Sequence, residues 1–392
     1  MKFLDYITLN PKISLEKGKV YPFVEMANIS TNARIPVLVE GKSFDSGVKF
    51  QDGDTVIARI TPCLQNGKRF YCKDIGVGFG STEYLVFRPK NDLVDNLYLY
   101  YYMKTEFIKQ SMINSMTGAT GRQRVNSDVF NDIKVDFPDI ETQKKIGQTL
   151  SAYDDLIENN QKQIKLLEEA AQRLYKEWFV DFRFPGYEDT KFIDGIPDGW
   201  FIKSILDNEI FIFAKNGVSE FEGEKQYYAT ADITGTTITT DGETITFANK
   251  PSRAAIQPLV NSVWFARMSN TYKILNCYGE SSHLANDSII SSGFAGFTSI
   301  EGCYGFVYAT IASKKFDDEK NRHATGATQV SLTNDGLKKI EVLIPTINIA
   351  KQYSAIVECF MSKCELLKKS CKLLQQARDR LLPKLMSSEI EV

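Results

Sequence analysis

The stretch of sequence that decides the fold begins with Thr117-Gly118-Ala119-Thr120, and it recurs as Thr325-Gly326-Ala327-Thr328. Both copies run through a hydrophobic residue followed by proline, at 137–138 and 344–345, into a long polar and apolar segment. After one deleted residue the copies stay aligned at an offset of 207. A duplication of this length predicts two similar structural units on one chain. Two similar surfaces on one chain suit a target that is itself bipartite.

The C-terminal part of each copy has the heptad pattern of a coiled coil, because core positions recur at alternating spacings of four and three. The two stripes are Ile146, Leu150, Tyr153, Ile157, Asn160, Ile164, Leu167, Ala171, Leu174 and Trp178, then Tyr353, Val357, Phe360, Cys364, Leu367, Cys371, Leu374, Arg378, Leu381 and Leu385. At about 1.5 Å per residue, the first stripe extends over roughly 50 Å. Residues 141–178 carry 6 basic and 7 acidic side chains, and residues 347–385 carry 8 and 3. This difference favours pairing of one helix with the other and leaves their relative direction open.

Asn160 occupies a core position of the first stripe, where the second stripe has Leu367. A buried asparagine there would reduce stability and favour one register. A splayed, solvent-reachable layer is the alternative.

Composition limits the number of domains, the membrane character and the redox state that the chain can be expected to have. A chain of 392 residues with 43% hydrophobic content is expected to form two to three domains with real cores. No apolar run approaches the roughly 20 residues of a membrane span, and the N-terminus does not have the pattern of a signal peptide. The seven cysteines are odd in number and lack Cys-x-x-Cys spacing. They predict reduced thiols and a cytoplasmic protein.

The net charge of -2 is not the strongly positive charge that is typical of a nucleic-acid-binding protein. Residues 1–138 carry 18 basic and 15 acidic side chains (+3), whereas residues 190–344 carry 14 and 18 (-4). Any affinity for DNA must therefore come from local basic patches or from partner subunits.

The globular segments before the long helices have the short apolar runs of strands. The predicted strands are Val20–Ile29, Asp54–Ile60, Tyr84–Arg88, Val263–Met268 and Cys303–Thr310. Asn96–Ser115 predicts an amphipathic helix, and Pro383 is expected to end the second long helix. Ala58-Arg59 in the first segment corresponds to Ala266-Arg267 in the second.

Several motifs together resemble those of type I restriction-modification specificity subunits. In the C-terminal arms and the connector they are Arg173-Leu174-Tyr175-Lys176-Glu177-Trp178-Phe179-Val180-Asp181-Phe182, Phe184-Pro185-Gly186, Pro197-Asp198-Gly199-Trp200 and Arg380-Leu381-Leu382-Pro383-Lys384-Leu385-Met386. Ile60-Thr61-Pro62-Cys63-Leu64-Gln65-Asn66-Gly67-Lys68, followed by Gly80-Ser81-Thr82-Glu83, resembles one recurrent type of target-recognition domain.

The resemblance implies an α+β fold in which two globular α/β target-recognition domains are separated by two long helices that form a coiled coil, with a pseudo-twofold internal repeat. The expected segments are a first recognition domain (1–138), a first long helix (139–180), a connector (181–199), a second recognition domain (200–345) and a second long helix (346–388). Each domain would read one half of a bipartite site in double-stranded DNA.

The same resemblance implies the partners. The helices would dock two methyltransferase subunits, and motor-nuclease subunits would join that core. This chain itself would perform no chemistry and bind no cofactor. S-adenosylmethionine is expected in the partner methyltransferase, and ATP and Mg in the partner motor subunit.

Candidate DNA-binding residues are polar or basic side chains in the loops of the family-like stretches, because recognition needs base-edge donors and acceptors plus phosphate anchors. In the first domain they are Arg59, Thr61, Asn66, Lys68, Arg69, Ser81, Thr82 and Glu83. In the second they are Arg267, Ser269, Asn270, Lys273, Ser281, Ser282 and His283. Arg59 and Arg267 are the best pair, since a guanidinium can grip guanine or phosphate with two hydrogen bonds.

Two further features have alternative interpretations. The repeated Thr-Gly-Ala-Thr segment, with Arg122 and Arg124 after the first copy and Arg322 before the second, could cradle a phosphate. A turn that positions the following strand is the favoured interpretation. Tyr98, Tyr100, Tyr101 and Tyr102 could stack on bases, but their helical spacing favours packing in the core.

Enzymatic functions find little support. The chain lacks the Gly-rich loop and Asn/Asp-Pro-Pro-aromatic motif of a methyltransferase, and Glu40-Gly41-Lys42 has no suitably placed upstream acid for a nuclease. With only two histidines and no Cys/His cluster, a zinc site is not expected. The alternative to a DNA-reading subunit is a coiled-coil scaffold whose globular heads bind proteins, which the weak positive charge leaves open.

Overall fold

The computed structural model describes residues 1–31, 33–119, 121–215, 217–280, 282–327 and 330–392. The chain divides into two compact units. Unit 1 consists of Met1–Asn160 with Ser370–Val392, and unit 2 consists of Gln161–Lys369. Each unit therefore contains a sheet-rich globular part and a portion of each of two 40-residue helices.

Among the described residues, the globular part of unit 1 contains ten strands. They are β1 (Ile7–Leu9), β2 (Val20–Val24), β3 (Glu40–Ser43), β4 (Val48–Gln51), β5 (Thr55–Ala58), β6 (Arg69–Tyr71), β7 (Val77–Gly80), β8 (Tyr84–Pro89), β9 (Met116–Thr117) and β10 (Arg124–Val125). The helices are α1 (Phe3–Tyr6), α2 (Asn96–Tyr102), α3 (Glu106–Asn114) and the long α4 (Ile140–Phe179), with 3-10 turns at Met26–Asn28 and Ser127–Asn131.

Two four-stranded sheets organise the globular part of unit 1. Their strand orders are β1-β8-β5-β6 and β3-β2-β7-β4, and the inner pair β2-β7 is parallel. Alternate residues of β5 enter different cores, because successive side chains of a strand point to opposite faces. Val56 packs with Phe50 and Phe70, whereas Ile57 packs with Leu85 and Phe87. Burial on both faces explains the nearly continuous apolar runs in these strands.

The described part of unit 2 contains fourteen strands and four short helices. The strands are β11 (Phe192–Ile193), β12 (Ile196–Pro197), β13 (Phe201–Ser204), β14 (Phe211–Ala214), β15 (Lys225–Tyr228), β16 (Ile233–Thr234), β17 (Thr237–Ile238), β18 (Glu243–Ile245), β19 (Ala254–Ile256), β20 (Ser262–Ala266), β21 (Ile274–Cys277), β22 (Ser288–Ser291), β23 (Phe294–Ser299) and β24 (Glu341–Ile344). The helices are α5 (His283–Asp287), α6 (Tyr304–Ile311), α7 (Lys314–His323), α8 (Asn334–Leu337) and the long α9 (Ile347–Met386), with 3-10 turns at Tyr187–Asp189 and Thr230–Asp232.

The two main sheets of unit 2 repeat the connectivity of unit 1. Their orders are β14-β23-β20-β21 and β18-β15-β22-β19, and β15-β22 is again the parallel inner pair. The duplication that the C-terminal arms show in sequence therefore extends to the globular parts, where the sequences have diverged. Unit 2 adds the hairpin β16-β17 and the short helix α5 to this shared plan.

The long helices pair antiparallel within each unit. In unit 1, Asn160 of α4 donates a hydrogen bond to Ser370 of α9 at 3.1 Å, and the Cys371 thiol lies 3.8 Å from the Ile157 carbonyl oxygen. In unit 2, the Tyr353 hydroxyl donates to the Ala171 carbonyl oxygen at 2.7 Å. Most residues of the two heptad stripes are buried or half-buried, as the 4–3 spacing predicts.

Asn160 is half-buried, and the hydrogen bond to Ser370 satisfies its side chain. Leu367, the corresponding core residue, is 6% exposed. The Asn160 side chain is therefore partly reachable by solvent, as in the second interpretation, and it also has a specific polar partner within the helix pair, as in the first.

Three predictions about secondary structure need correction. Cys303–Thr310, predicted as a strand, lies in the helix α6, whose residues are all buried. A fully buried helix has no polar face, so its sequence lacks the helical periodicity. Asn96–Ser115 forms two helices separated by Met103-Lys104-Thr105. Pro383 lies inside α9, where it occupies the last turn and removes a single backbone donor.

Candidate nucleic-acid interface

In unit 1, Arg59 joins three segments at the end of β5. Its backbone N–H donates to the Glu83 carbonyl oxygen at 2.9 Å, and its own carbonyl accepts from the Val125 N–H at 2.9 Å. The guanidinium also donates to the Val125 carbonyl oxygen at 3.3 Å. The buried Nε atom of Arg59 makes no hydrogen bond among the described residues. Arg59 thus fixes the loops around it while staying half-buried.

Arg267 has the same arrangement in unit 2. Its N–H donates to the Gly293 carbonyl oxygen at 2.9 Å, and its carbonyl accepts from the Leu332 N–H at 2.8 Å. The guanidinium donates to the Leu332 carbonyl oxygen at 2.9 Å and to Asn334 Oδ1 at 3.0 Å. Burial lowers the pKa of Arg267 from its ordinary value. The Ala-Arg correspondence in the sequence therefore identifies equivalent positions in the fold.

Lys68 and Lys273 form a second equivalent pair. Their carbonyl oxygens accept from the N–H groups of Ala58 and Ala266, both at 3.0 Å. Lys68 Nζ donates to the first carbonyl of a 3-10 turn, that of Met26, at 2.9 Å. Lys273 Nζ makes the same contact with Thr230 at 2.7 Å. Each unit thus places one arginine and one lysine around the same strand ends.

Glu83 and Arg124 form an ion pair near Arg59. Arg124 Nε lies 2.9 Å from both carboxylate oxygens of Glu83, and Nη2 lies 2.6 Å from Oε1. These hydrogen bonds from Arg124 lower the pKa of Glu83, and the neighbouring charge of Arg59 lowers it further. The Arg124 side chain is 47% exposed.

Several predicted residues of unit 1 lie in the surrounding loops. Asn66, Thr82 and Arg122 are exposed. Ser81 is half-buried, and its hydroxyl accepts from the Glu83 N–H at 3.1 Å. Ser81 is thus linked to the Arg59 strand end through Glu83.

The fold already uses or buries the side chains of three predicted residues, and their role in DNA binding stays a prediction. Thr61 is 8% exposed, and its hydroxyl oxygen accepts a hydrogen bond from the Gln123 N–H at 3.0 Å. Arg69 donates to the Met103 carbonyl oxygen at 3.0 Å, and burial lowers the pKa of its guanidinium. Ser282 is 1% exposed. Thr61 and Ser282 are buried, whereas Arg69 is half-buried.

The remaining predicted residues of unit 2 are more dispersed. Asn270 is exposed, and its N–H donates to Asn321 Oδ1 at 2.8 Å, while the half-buried Ser269 hydroxyl lies 3.5 Å from the same oxygen. His283 Nδ1 lies 2.7 Å from Asp287 Oδ2. Arg322 is 68% exposed and pairs with Glu319 at 2.7 Å. The prediction for Ser281 lies outside the described residues.

The repeated Thr-Gly-Ala-Thr segments form turns in their described parts. In unit 1, Thr117 pairs with Arg124 and closes the hairpin β9-β10, with Gly118 at a φ of 121°. In unit 2, Thr325 and Ser331 exchange two backbone hydrogen bonds of 3.0 Å. Thr120, Thr328 and Gln329 lie outside the described residues. This geometry agrees with the favoured interpretation of a turn that positions the next strand.

The tyrosine cluster packs in the core as predicted. Tyr98, Tyr100 and Tyr101 are at most 1% exposed, and Tyr102 is half-buried against Phe137. Their rings are therefore not available to stack on bases.

Sequence reasoning missed a buried ionic cluster of unit 1. Arg378 of the α9 stripe donates to Asp154 of α4, and the Tyr101 hydroxyl donates to the same carboxylate at 2.5 Å. Arg34, which is 2% exposed, contacts Asp155 and Glu158 at 2.6 and 2.9 Å. The signal was Arg378 itself, because a cation at a heptad core position requires a buried partner.

The long helices also carry a repeated exposed surface. Leu166 of unit 2 is 54% exposed, and Leu373 of unit 1, at the offset of 207, is 57% exposed. Arg173 and Arg380 follow seven residues later and are both exposed. The repeat itself gave the signal for this surface.

Two general features complete the description. Among the described residues, no helix combines the length and apolarity that a bilayer crossing requires. The same part of the chain contains no group of three or more His, Cys, Asp or Glu side chains suited to hold a metal ion.

Comparison with known proteins shows what the chain is similar to. Residues 8–169 match the family model for the type I restriction modification DNA specificity domain. The chain is 25% identical over 317 residues to the type I restriction enzyme MjaIX specificity subunit of Methanocaldococcus jannaschii, covering 78% of this chain and 71% of that relative. The chain thus matches a specificity domain over residues 8–169 and is similar to a specificity subunit over most of its length. The comparisons give no support to the scaffold alternative.

Other specificity subunits match the chain over shorter regions. The MjaVIII specificity subunit of the same organism is 33% identical over 135 residues, which cover 33% of this chain and 31% of that relative. The EcoAI specificity subunit of Escherichia coli is 32% identical over 145 residues, covering 35% and 25%. These two matches thus span less than a third of the relatives' own length.

Two solved structures align with nearly the whole chain at low identity and low TM-score. A crystal structure of the type I restriction-modification S subunit from M. genitalium has a TM-score of 0.49 at 15% identity, covering 98% of this chain and 95% of that chain. The HsdS subunit from Thermoanaerobacter tengcongensis has a TM-score of 0.39 at 15% identity, covering 100% and 96%.

Proposed function

We propose that this chain reads a bipartite sequence in double-stranded DNA, one half-site per unit, and performs no chemistry of its own. The observation that carries the proposal is the duplicated framework. Each unit has the same pair of sheets, and each places an arginine and a lysine at equivalent strand ends. A common framework supplies similar positive charge in both units, and the loops on it can differ.

The loops around this framework do differ. Glu83, which accepts the Arg59 N–H, is replaced in unit 2 by Gly293, which accepts the Arg267 N–H. Arg124 is replaced by Ser331 at the offset of 207. Direct readout depends on such side chains at base edges, whereas phosphate contacts only position the protein. Two frameworks with different loops support two different half-sites.

We further propose that the long helices set the distance between the half-sites. α4 and α9 each contribute residues to both units as uninterrupted helices of 40 residues. A heptad stripe of roughly 50 Å corresponds to about fifteen base pairs, which limits the separation of the half-sites.

The partners are part of the same proposal. The equivalent exposed leucines Leu166 and Leu373, each followed by an exposed arginine, fit two copies of one methyltransferase subunit. In this assignment the methyltransferase supplies S-adenosylmethionine chemistry, and motor-nuclease subunits supply ATP- and Mg-dependent cleavage. The complex would act in the cytoplasm, where it has access to DNA in the cell.

Genome-wide methylation mapping tests the proposal. A host that expresses this chain with its methyltransferase should acquire methylation at one bipartite motif with a fixed gap. Exchange of residues 1–138 for another recognition domain should change one half-site and leave the other intact. Methylation without a bipartite motif, or a change in both half-sites, would contradict the assignment.

A further inference from the structure

The Glu83–Arg124 ion pair is a difference between two otherwise equivalent frameworks. In both units the backbone N–H of the arginine at the strand end, Arg59 or Arg267, donates to a carbonyl oxygen in the loop before β8 or β23. The backbone carbonyl oxygen of the same arginine accepts from the segment after the repeated turn. In both units that segment also forms an isolated bridge, Ile60 with Arg124 and Met268 with Ser331. Unit 2 builds this framework without an ion pair. The pair is therefore not required to hold the framework together.

The space for a side chain at the position equivalent to Glu83 is also tight in unit 2. A Cβ atom placed on Gly293 would lie 3.0 Å from Thr230 Cγ2. The loop of unit 1 has room for a glutamate at the same position, and Glu83 is 23% exposed. An exposed ion pair contributes only about 0–1 kcal/mol to folding. Its contribution to stability is thus too small to explain why it stands at this strand end.

The geometry of the pair leaves donors free. A guanidinium has five N–H groups in a planar fork. Nε and one N–H of Nη2 face the Glu83 carboxylate. The Nη1 group and the second N–H of Nη2 remain on the opposite edge of a side chain that is 47% exposed. That edge has the spacing to donate two hydrogen bonds to the O6 and N7 atoms of guanine.

We propose that Arg124 reads a guanine in the half-site of unit 1, and that Glu83 is the positioning residue that holds the guanidinium in plane. This assignment rests on the proposed function and adds the base class and the reading residue. Carboxylate support makes the arginine rigid before binding, so less side-chain entropy is lost when DNA is bound. Unit 2, with Gly293 and Ser331, lacks this device and reads its half-site by other contacts.

Methylation rates on a library of half-site variants test the assignment, with the full chain in complex with its methyltransferase. The wild type should require a G·C pair at one position of the half-site of unit 1. Arg124→Ser, which introduces the residue of unit 2, should reduce discrimination at that position by about 10- to 100-fold. The other half-site should keep its sequence. Lys17→Ala, which breaks the exposed Lys17–Asp45 pair of the same unit, is the control and should leave the motif unchanged.

Two variants of Glu83 separate positioning from a structural role. Glu83→Ala should weaken discrimination at the same base pair, and Glu83→Gln, which keeps one acceptor, should restore part of it. An equal rate loss on every sequence, with the motif preserved, would show a phosphate contact and overturn the assignment of a base reader. A wild-type half-site without a G·C pair would overturn it as well. A wild type that methylates no bipartite motif would instead overturn the proposed function.

Discussion

The two units hold their helix pairs with different chemistry. Unit 1 uses the buried ion pair between Asp154 and Arg378, to which Tyr101 also donates. At the equivalent positions unit 2 has Met361 and Ala171, and its helices pack through aromatic rings. The Phe179 ring of α4 lies 5.1 Å from the Tyr353 ring of α9 between centroids. One duplicated framework therefore tolerates either an ionic or an apolar helix contact.

The comparison also separates what is shared from what differs at the surface. The arginine and lysine anchors occur in both units, and they bind backbone carbonyls of the same elements. The side chains on the adjoining loops are different. Shared anchors with different loops are the arrangement expected when one fold reads two sequences.

The largest effect should follow from breaking the ion pair of unit 1. Arg378→Ala leaves the Asp154 carboxylate buried without its cation, which costs about 3–5 kcal/mol of unfolding free energy. Chemical denaturation of the methyltransferase complex measures the loss. Gln376→Ala, two residues before Arg378 in the same helix and exposed, is the control and should change stability by less than about 0.5 kcal/mol.

The double variant Asp154→Met with Arg378→Ala sharpens the same comparison. It introduces the residues of unit 2 and removes both charges, so it should be considerably more stable than Arg378→Ala alone. Equal losses in the single and double variants would show that the ion pair is not the source of the effect.

A smaller, pH-dependent effect should follow from Lys104, whose equivalent in unit 2 is Ala312. Burial, together with the charge of Arg378, lowers the pKa of Lys104 to about 8. The unfolded chain then binds more protons than the folded chain between this value and the ordinary pKa of lysine, about 10.4. Stability from this group should therefore rise as the pH increases through that window.

Thermal unfolding of Lys104→Ala across pH 7.5 to 10.5 checks this prediction. The variant should lose the part of the pH dependence that the wild type owes to Lys104. Lys12→Ala, which removes an exposed lysine of unit 1, should retain the wild-type profile. Identical profiles for the wild type and Lys104→Ala would contradict the prediction.

The smallest effect concerns unit 2. Tyr353→Phe removes the buried hydrogen bond to the Ala171 carbonyl oxygen and should cost about 1 kcal/mol. The half-exposed Tyr187 is the matched control, and Tyr187→Phe should have no measurable effect in the same denaturation experiment. A larger loss than that of Arg378→Ala would reverse the ranking of the two units.

The sequence predicted the parts of the structure that depend on local periodicity. The heptad stripes placed both long helices, and the duplicated Ala-Arg pair located equivalent strand ends in units of different sequence. Cys303–Thr310 was misassigned because a helix buried on all sides has no periodic signal. The internal repeat could have indicated a helix here, because these residues correspond at an offset of 208 to the start of the helix α2.

The functional surface was harder to predict, because side-chain exposure depends on contacts between distant segments. Thr61 and Ser282 lie in the predicted loops, but the fold buries them. Arg34 reaches its carboxylate partners across more than 120 residues, which no local pattern records. By contrast, the Arg124–Glu83 contact joins two residues that the sequence had already singled out separately.

We propose that the long helices α4 and α9 set the gap between the two half-sites. Deletion of a matched heptad from each helix, residues 161–167 and 361–367, should preserve the antiparallel register, since the Cys364 thiol lies 4.0 Å from the Ile164 carbonyl oxygen. The deletion shortens the pair by roughly 10 Å, or about three base pairs. Methylation mapping should then recover both original half-sites with a gap shorter by about three base pairs. An unchanged gap, or altered half-site sequences at the original gap, would contradict the claim.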